Sequence, residues 1–235
     1  MKKAIRQHLE MDEFFADFSM KNLNESNATS KKTTTLPQPS GSQVAELEKM
    51  AQTVRGCQKC ELHTTRTHAV PGEGHNAARI MFVGEAPGAD EDAQGRPFVG
   101  KAGQLLEKII KACGLAREDV FIANILKCRP PGNRDPKPAE IIHCLPYLQT
   151  QIMLIRPKVI VALGAHAART ILNSAEAIGK LRGQFHPYPA CDTAGPIKVM
   201  PTYHPAYLLR NYSTDNRRRV WEDMKKVMTE IGMPV

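Results

Sequence analysis

No stretch of this 235-residue chain approaches the ~20 consecutive apolar residues of a membrane-spanning helix, although 42% of it is hydrophobic. The opening segment, MKKAIRQHLEMDEFF, carries two lysines but no apolar core behind them, and Glu10, Asp12 and Glu13 interrupt it, so it does not read as a signal peptide. Together these absences make a cytoplasmic location the expectation and leave no membrane partner. Tryptophan occurs once and aromatic residues make up 6% of the chain, which argues against an extended platform for stacking bases. The one loop dense in Gly and Pro, GEAPGADEDAQGRPFVGKAG, has no G-K-[ST] at P-loop spacing and does not fit a Rossmann fingerprint, so neither nucleotide-binding loop is expected.

Positive charge is plentiful: the net charge is +8 and the pI about 9.2. Residues 1–43 hold six Lys/Arg and five Asp/Glu, a net of +1, so +7 falls on residues 44–235. Such an excess suits a polyanion such as nucleic acid; a basic protein with no such partner is the plainer alternative. The length allows one well-buried domain plus extras. Residues 22–43, NLNESNATSKKTTTLPQPSGSQ, are too polar to build a core and read as a disordered linker. Ahead of them, residues 1–21 place Leu9, Met11, Phe14, Phe15 and Phe18 on a short amphipathic segment that reads as a docking peptide. The spacing of His8, Met11, Phe14 and Phe15 loosely resembles sliding-clamp binding peptides, although the usual Gln is absent at His8. A frayed helix with no partner is the competing reading.

From residue 44 the pattern alternates. VAELEKMAQTVRGC reads as a helix, ARIMFVGEAPG as a strand ending in a loop, and GQLLEKIIKACG as a helix stopped by Gly114. DVFIANILKC is a second strand, and KPAEIIHCLPYLQTQIMLIRP a helix that Pro146 should bend or interrupt. KVIVALG, AHAARTILN, IKVMPTYH and NRRRVWEDMKKVMTEIG continue as strand, helix, strand and basic helix. The expected fold is therefore α/β: a single three-layer domain over residues 44–235 with a mostly parallel central sheet, preceded by the arm. In such folds ligands bind at the carboxyl ends of the strands. GEAPGADED, the Asn124 region and HPAYLLR all follow or end strands, so one crevice can collect them.

Cys57 and Cys60 form a C-x2-C pair, Cys128 closes the run IANILKC, and Cys144 sits in a helical segment. In a reducing compartment, cysteines in this number favour metal ligation or reactivity over disulfides. A [4Fe–4S] cluster held by four thiolates and a four-thiolate zinc site both fit, and spacing alone does not separate them; small buried hydrophobes are the bland alternative. Cys113 reads as helix core. Glu85, Asp90, Glu91 and Asp92 crowd one turn, where Asp90 and Asp92 are best read as caps on the next helix. Asn124, inside an apolar run, needs a partner or reads a ligand. Phe98 is either a stacking face or core, Asn133 sits in a turn-forming loop, and His204 precedes Pro205 after a strand.

From about residue 44 to the end the chain resembles the family 4, iron–sulfur, uracil-DNA glycosylases. The resemblance is carried by GEAPG with its following Glu-Asp pair, GRPFVGKAGQLL, NILKC, RPPGNR, HPAYLLR and the order of the four cysteines. It implies a superfamily fold and a monofunctional, monomeric enzyme that flips uracil out of DNA and hydrolyses its N-glycosidic bond in base excision repair. It implies that Cys57, Cys60, Cys128 and Cys144 hold a [4Fe–4S] cluster. It further implies that Phe98 stacks on uracil, Asn124 reads its polar edge, and Glu85 and Ala86 line the pocket near the scissile bond. Glu91 and Asn133 would hold or activate water, with Glu85 a third candidate for that role, and His204 would donate to uracil O2. Tyr207, Leu208 and Arg210 would belong to the loop that enters the duplex. Ala86 stands where the best-known uracil-DNA glycosylases carry Asp, as the resemblance to family 4 requires, which leaves the water activator open among those three. Two other readings compete: a non-catalytic damage-sensing or polymerase-associated protein of the same fold, and a zinc-stapled binding protein.

Overall fold

The computed structural model describes residue 14, residues 38–188 and residues 197–234. The amphipathic segment apart from Phe14, most of the linker, and Cys191 lie outside the described residues. The first helix, α1 (Gly41–Arg55), starts three residues before the apolar pattern does, inside the stretch expected to be linker. Ser40 is the reason: its side chain accepts the Gln43 N–H at 3.2 Å and caps the helix. Leu47, Met50 and Val54 then recur at helical spacing and are buried.

The chain continues through β1 (Glu73–Gly74), β2 (Ile80–Gly84), α2 (Ala89–Gln94), α3 (Lys101–Ala112), β3 (Phe121–Asn124), α4 (Pro138–Ile155), β4 (Val159–Leu163), α5 (Ala165–Leu172), α6 (Ile178–Leu181), β5 (His186–Pro187), β6 (Lys198–Thr202), α7 (Pro205–Arg210) and α8 (Thr214–Glu230). The six strands among the described residues form one sheet in the order β1-β3-β2-β4-β6-β5. The four inner strands are parallel, and β1 and β5 pair antiparallel at the edges. Every residue of β2, β3 and β4 is buried. That is why these strands read as unbroken apolar runs rather than as alternating ones.

Alternation survives in where the side chains go. Met81, Val83, Ile160 and Ala162 join one core with α1, α4 and α5. Ile80, Phe82, Val159 and Val161 join the other with α3 and α8. A strand places successive side chains on opposite faces, so the expected three layers follow directly. Pro146 does not interrupt α4, which runs unbroken through it. The carbonyl that a proline leaves without its helical donor belongs to Ile142, which is 69% exposed and can turn to water. Asp92 does not cap a helix either; it is buried and accepts the Thr67 N–H at 3.0 and 3.1 Å. Cys113 is buried in the core as expected. No helix among the described residues is long and apolar enough to cross a membrane.

The strand order decides where a ligand can sit. The chain moves from β2 to β3 on one side, then returns to place β4 on the other. The loops leaving β2 and β4 therefore diverge and open a crevice at their carboxyl ends.

Candidate active site and cysteine centre

A cleft of about 700 Å³ occupies that crevice. Glu85, Ala86, Glu91, Phe98, Asn124, Asn133, His204, Tyr207 and Arg210 all line it, although they are spread over more than half the chain. Leu208 does not. It is 1% exposed and belongs to the core beneath α7 with Val220, Trp221 and Met224. The expectation that Leu208 enters a duplex is corrected on this point: α7 is a six-residue helix packed against α3, and Leu208 is on its buried face.

Asn124 ends β3 with 2% of its surface exposed, and its Oδ1 has no hydrogen-bond partner. A buried acceptor without a donor costs about 1–3 kcal/mol, so this oxygen is open to a donor from a ligand or a water. Beside it, Phe98 lies with its ring centroid 5.6 Å from that of His204. Phe98 adopts φ 50°, a conformation that L side chains reach only under constraint. The constraint comes from both sides. Arg117 donates to the carbonyls of Pro97 and Phe98, and its guanidinium is itself paired with Glu73 at 2.7 Å. Glu91 accepts the N–H groups of Val99 and Gly100 at 2.8 and 2.9 Å through Oε1, and that of Gly88 at 3.1 Å through Oε2. A carboxylate offers about four acceptor sites, so Glu91 has little left for a water. Its visible work is to tie the loop after β2 to the loop that carries Phe98.

His204 caps α7: its Nδ1 accepts the Ala206 N–H at 3.1 Å. With Nδ1 used as an acceptor, the proton of the neutral ring sits on Nε2. Burial, helped by the positive charge of Arg210, pushes the His204 pKa down to about 4 against the pull of Glu91. At neutral pH the ring is therefore an uncharged Nε2–H donor. Glu85 moves the other way. Burial raises its pKa, Asp135 adds to the rise, and His166 and Arg210 oppose it. His166 Nε2 lies 3.9 Å from Glu85 and 3.6 Å from Asp135, and the ligand atoms of these three groups all fall within 4.8 Å of one another at the cleft mouth. Asn133, at φ 54°, has its Oδ1 held by Arg129 Nε at 2.8 Å.

His166, Asp135, Arg134 and Tyr203 also line the cleft and were not picked out from sequence. One signal was available for His166, which follows the carboxyl end of β4 where such sheets bind ligands. Arg134 forms a two-pronged ion pair with Glu140 (2.9 and 2.5 Å) that pins the Asn133 loop to the start of α4. Nothing local in the sequence announces that pair.

On the opposite side of β3's terminal turn, Cys57, Cys60, Cys128 and Cys144 surround a second, small pocket with Arg66, Lys127 and Tyr147. No disulfide joins them. Arg66 donates to Cys128 Sγ at 3.0 Å and the Lys127 backbone N–H to Cys144 Sγ at 3.1 Å. Burial pushes both thiols up, Cys144 to about 11, while these two donors pull the other way, as they would for metal-bound thiolates.

A parallel-centred sheet whose strand ends gather an unpartnered amide oxygen, an aromatic ring and an uncharged imidazole around one crevice has the build of an α/β protein with a ligand site, and comparison with known proteins gives its family. The family model described as the uracil DNA glycosylase superfamily matches residues 71–225. A type-4 uracil-DNA glycosylase of Saccharolobus solfataricus is 50% identical over 186 residues, covering 77% of this chain and 84% of that protein. One from Thermotoga maritima is 47% identical over 186 residues, covering 79% of this chain and 94% of that protein. A third, from Archaeoglobus fulgidus, is 45% identical over 185 residues, covering 77% and 91%. The chain belongs to the type-4 branch of the uracil-DNA glycosylase superfamily.

Proposed function

We propose that this protein excises uracil from DNA, drawing the nucleotide out of the duplex into the cleft and hydrolysing its N-glycosidic bond to leave an abasic site for base excision repair. The observation that carries the reading is the buried Asn124 amide with an unpartnered Oδ1, facing a cleft that also holds the uncharged His204 donor. An amide offers one donor and one acceptor, which match the O4 and N3–H of uracil. Cytosine presents the reverse pattern and would leave buried polar groups opposed. Phe98 supplies the stacking face. Extrusion is costly for a paired base, and the pocket's stacking and hydrogen bonds offset it.

As the C1′–N1 bond breaks, its electron pair moves into the base and negative charge gathers on O2. His204 donates an Nε2–H hydrogen bond to that oxygen without giving up the proton, so the uracil anion forms against a fixed dipole. Water adds its oxygen to C1′ and loses a proton. Asn133 and Glu85 are the groups we assign to holding that water; a carboxylate with a raised pKa is suited to taking the proton. Glu91 we assign to positioning, because its oxygens already serve three backbone N–H groups. Ala86 lines the wall near the scissile bond. Tyr207 and the exposed Arg210 face the DNA strand at the rim, with Leu208 supporting their helix from beneath.

We also propose that Cys57, Cys60, Cys128 and Cys144 hold a [4Fe–4S] cluster. The four cysteines line one small pocket, with Arg66 and the Lys127 backbone N–H donating to two of the sulfurs, and their order resembles that of the iron–sulfur branch of the family. Bound there, the cluster cross-links α1, the turn after β3 and α4; it takes no part in the hydrolysis. Thiolates in this state require a reducing compartment, which supports a cytoplasmic location. We take the protein to act as a monomer. A sliding clamp remains the partner proposed for the segment around Met11 and Phe15.

Incubation with a uracil-containing oligonucleotide, followed by alkali, tests the activity: strand scission at uracil is expected. Binding without uracil release would instead identify the non-catalytic sensor. Iron and acid-labile sulfide in the purified protein test the cluster, and zinc in their place would overturn it.

A further inference from the structure

Uracil excision as described has no use for Lys127, yet this cation is 1% exposed. It lies on the turn between the base-reading Asn124 and Cys128. Its ammonium donates to the Asn124 carbonyl at 3.0 Å and to Gln151 Oε1 at 2.7 Å. Gln151 is fully buried and held in turn, donating from Nε2 to the Pro71 carbonyl at 2.8 Å. The Lys127 backbone N–H donates to Cys144 Sγ. Both acceptors of the ammonium are neutral, and among the described residues no carboxylate is paired with it. Charge taken out of water without a counter-charge is strongly disfavoured. Lys127 and Cys144 line the same small pocket, so a metal-bound thiolate there would supply the counter-charge.

We propose that Lys127 is a positioning residue that couples the occupied cysteine centre to base recognition: its ammonium is the buried counter-charge to that centre and, from the same place, the clamp on the Asn124 backbone that aims the amide at uracil. The inference rests on the reading above, of the four cysteines as a cluster site and the cleft as the uracil site. A cluster with four thiolate ligands is negatively charged overall, so a buried ammonium beside one ligand stabilises it. One rigid contact then serves both ends. The ammonium adds a fixed donor to the Asn124 carbonyl at the end of β3, and metal-bound thiolates in the same pocket would hold that ammonium charged and in place. In this arrangement the cluster acts on the base through geometry.

The test uses the native protein with Lys127→Met and Lys127→Arg, all iron-loaded. Three quantities are read: iron per chain, the midpoint potential of the cluster, and single-turnover uracil release with free uracil as a competitor. Lys127→Met is expected to keep its iron, to shift to a more negative potential because a positive charge has gone, and to bind free uracil about tenfold more weakly. Its maximal rate should change much less, because the amide contacts ground and transition states alike. Lys127→Arg is expected to keep a near-native potential but not native uracil binding, since a planar fork does not reproduce a point donor between two acceptors. Either variant with native uracil affinity, or Lys127→Met with a native potential, would overturn the coupling. If Lys127→Met fails to accumulate, Lys127→Arg decides alone on the same readouts. Failure of the underlying reading is seen separately and first, as native protein lacking iron and sulfide or releasing no uracil.

Discussion

Gly84 ends β2 directly beneath the two side chains proposed to hold the base. A methyl group built there would come 2.4 Å from Asn124 Oδ1, 2.6 Å from Phe98 Cζ and 2.8 Å from Phe98 Cε2. Ordinary contact begins near 3.4 Å, so both side chains would have to withdraw by up to about 1 Å. The atoms met are the far ends of side chains, and Gly84 has no left-handed backbone for alanine to strain. Gly84→Ala should therefore fold. It should nevertheless lose about 10²-fold in kcat/KM, because misplacing reacting or reading groups by about 1 Å commonly costs that much. The loss corresponds to ~2.7 kcal/mol of barrier. Gly103 provides the contrast: a methyl there would meet the Phe98 backbone carbonyl at 2.0 Å, which cannot withdraw, so Gly103→Ala should fail as a fold before it fails as an enzyme. Single-turnover uracil release measured beside a thermal melt separates the two effects. A Gly84→Ala protein with native melting and native rate would refute the placement of Asn124 and Phe98 against the base.

Asn124→Ala should lose about 10²-fold in kcat/KM for uracil release, mostly through weaker binding of the base. Its melting should shift by about 1 kcal/mol or less, because the deleted Oδ1 has no protein partner to strand; unfolding would mark Asn124 as structural. His204→Ala should slow the chemical step by about 10²–10³-fold on paired and single-stranded uracil alike, and rescue by single-stranded substrate would contradict that role. The fold holds His204 neutral, with a pKa of about 4 against an ordinary 6.5. Its contribution to stability is therefore complete above about pH 6.5 and is lost as the pH falls toward 4, when a proton on Nδ1 would face the Ala206 N–H. A pH–rate profile with an acid limb near 6.5 arising from His204 would contradict this. Leu208→Ala should behave as a core truncation, costing about 2–5 kcal/mol and lowering Tm by roughly 2–4 °C for each kcal/mol. A native melt with a defect confined to extruding paired uracil would restore Leu208 as the wedge.

The sequence by itself determined the alternation of strands and helices, because burial on both faces of a parallel strand and on one stripe of a helix leaves a local period. It determined the chemical types gathered at the strand ends, and the C-x2-C pair. Local period could not reveal β1 and β5, which are two residues each and have no period. It could not order the strands, since pairing joins residues far apart in the chain. That order alone brings Glu85, Asn124 and His204 into one cleft. Tertiary structure also decided what each of these polar groups is free to do. Glu91 and Leu208 have residue types suited to catalysis and to a wedge, but Glu91 is occupied by three backbone N–H groups and Leu208 by the core. Lys127 shows the converse. A lysine in an apolar run is an ordinary surface residue until the fold closes over it and leaves Asn124, Gln151 and a cysteine sulfur as its surroundings. Hydrogen-bond capacity belongs to the residue type and is readable from sequence; which partners use that capacity is fixed only by neighbours that the chain folds back to supply.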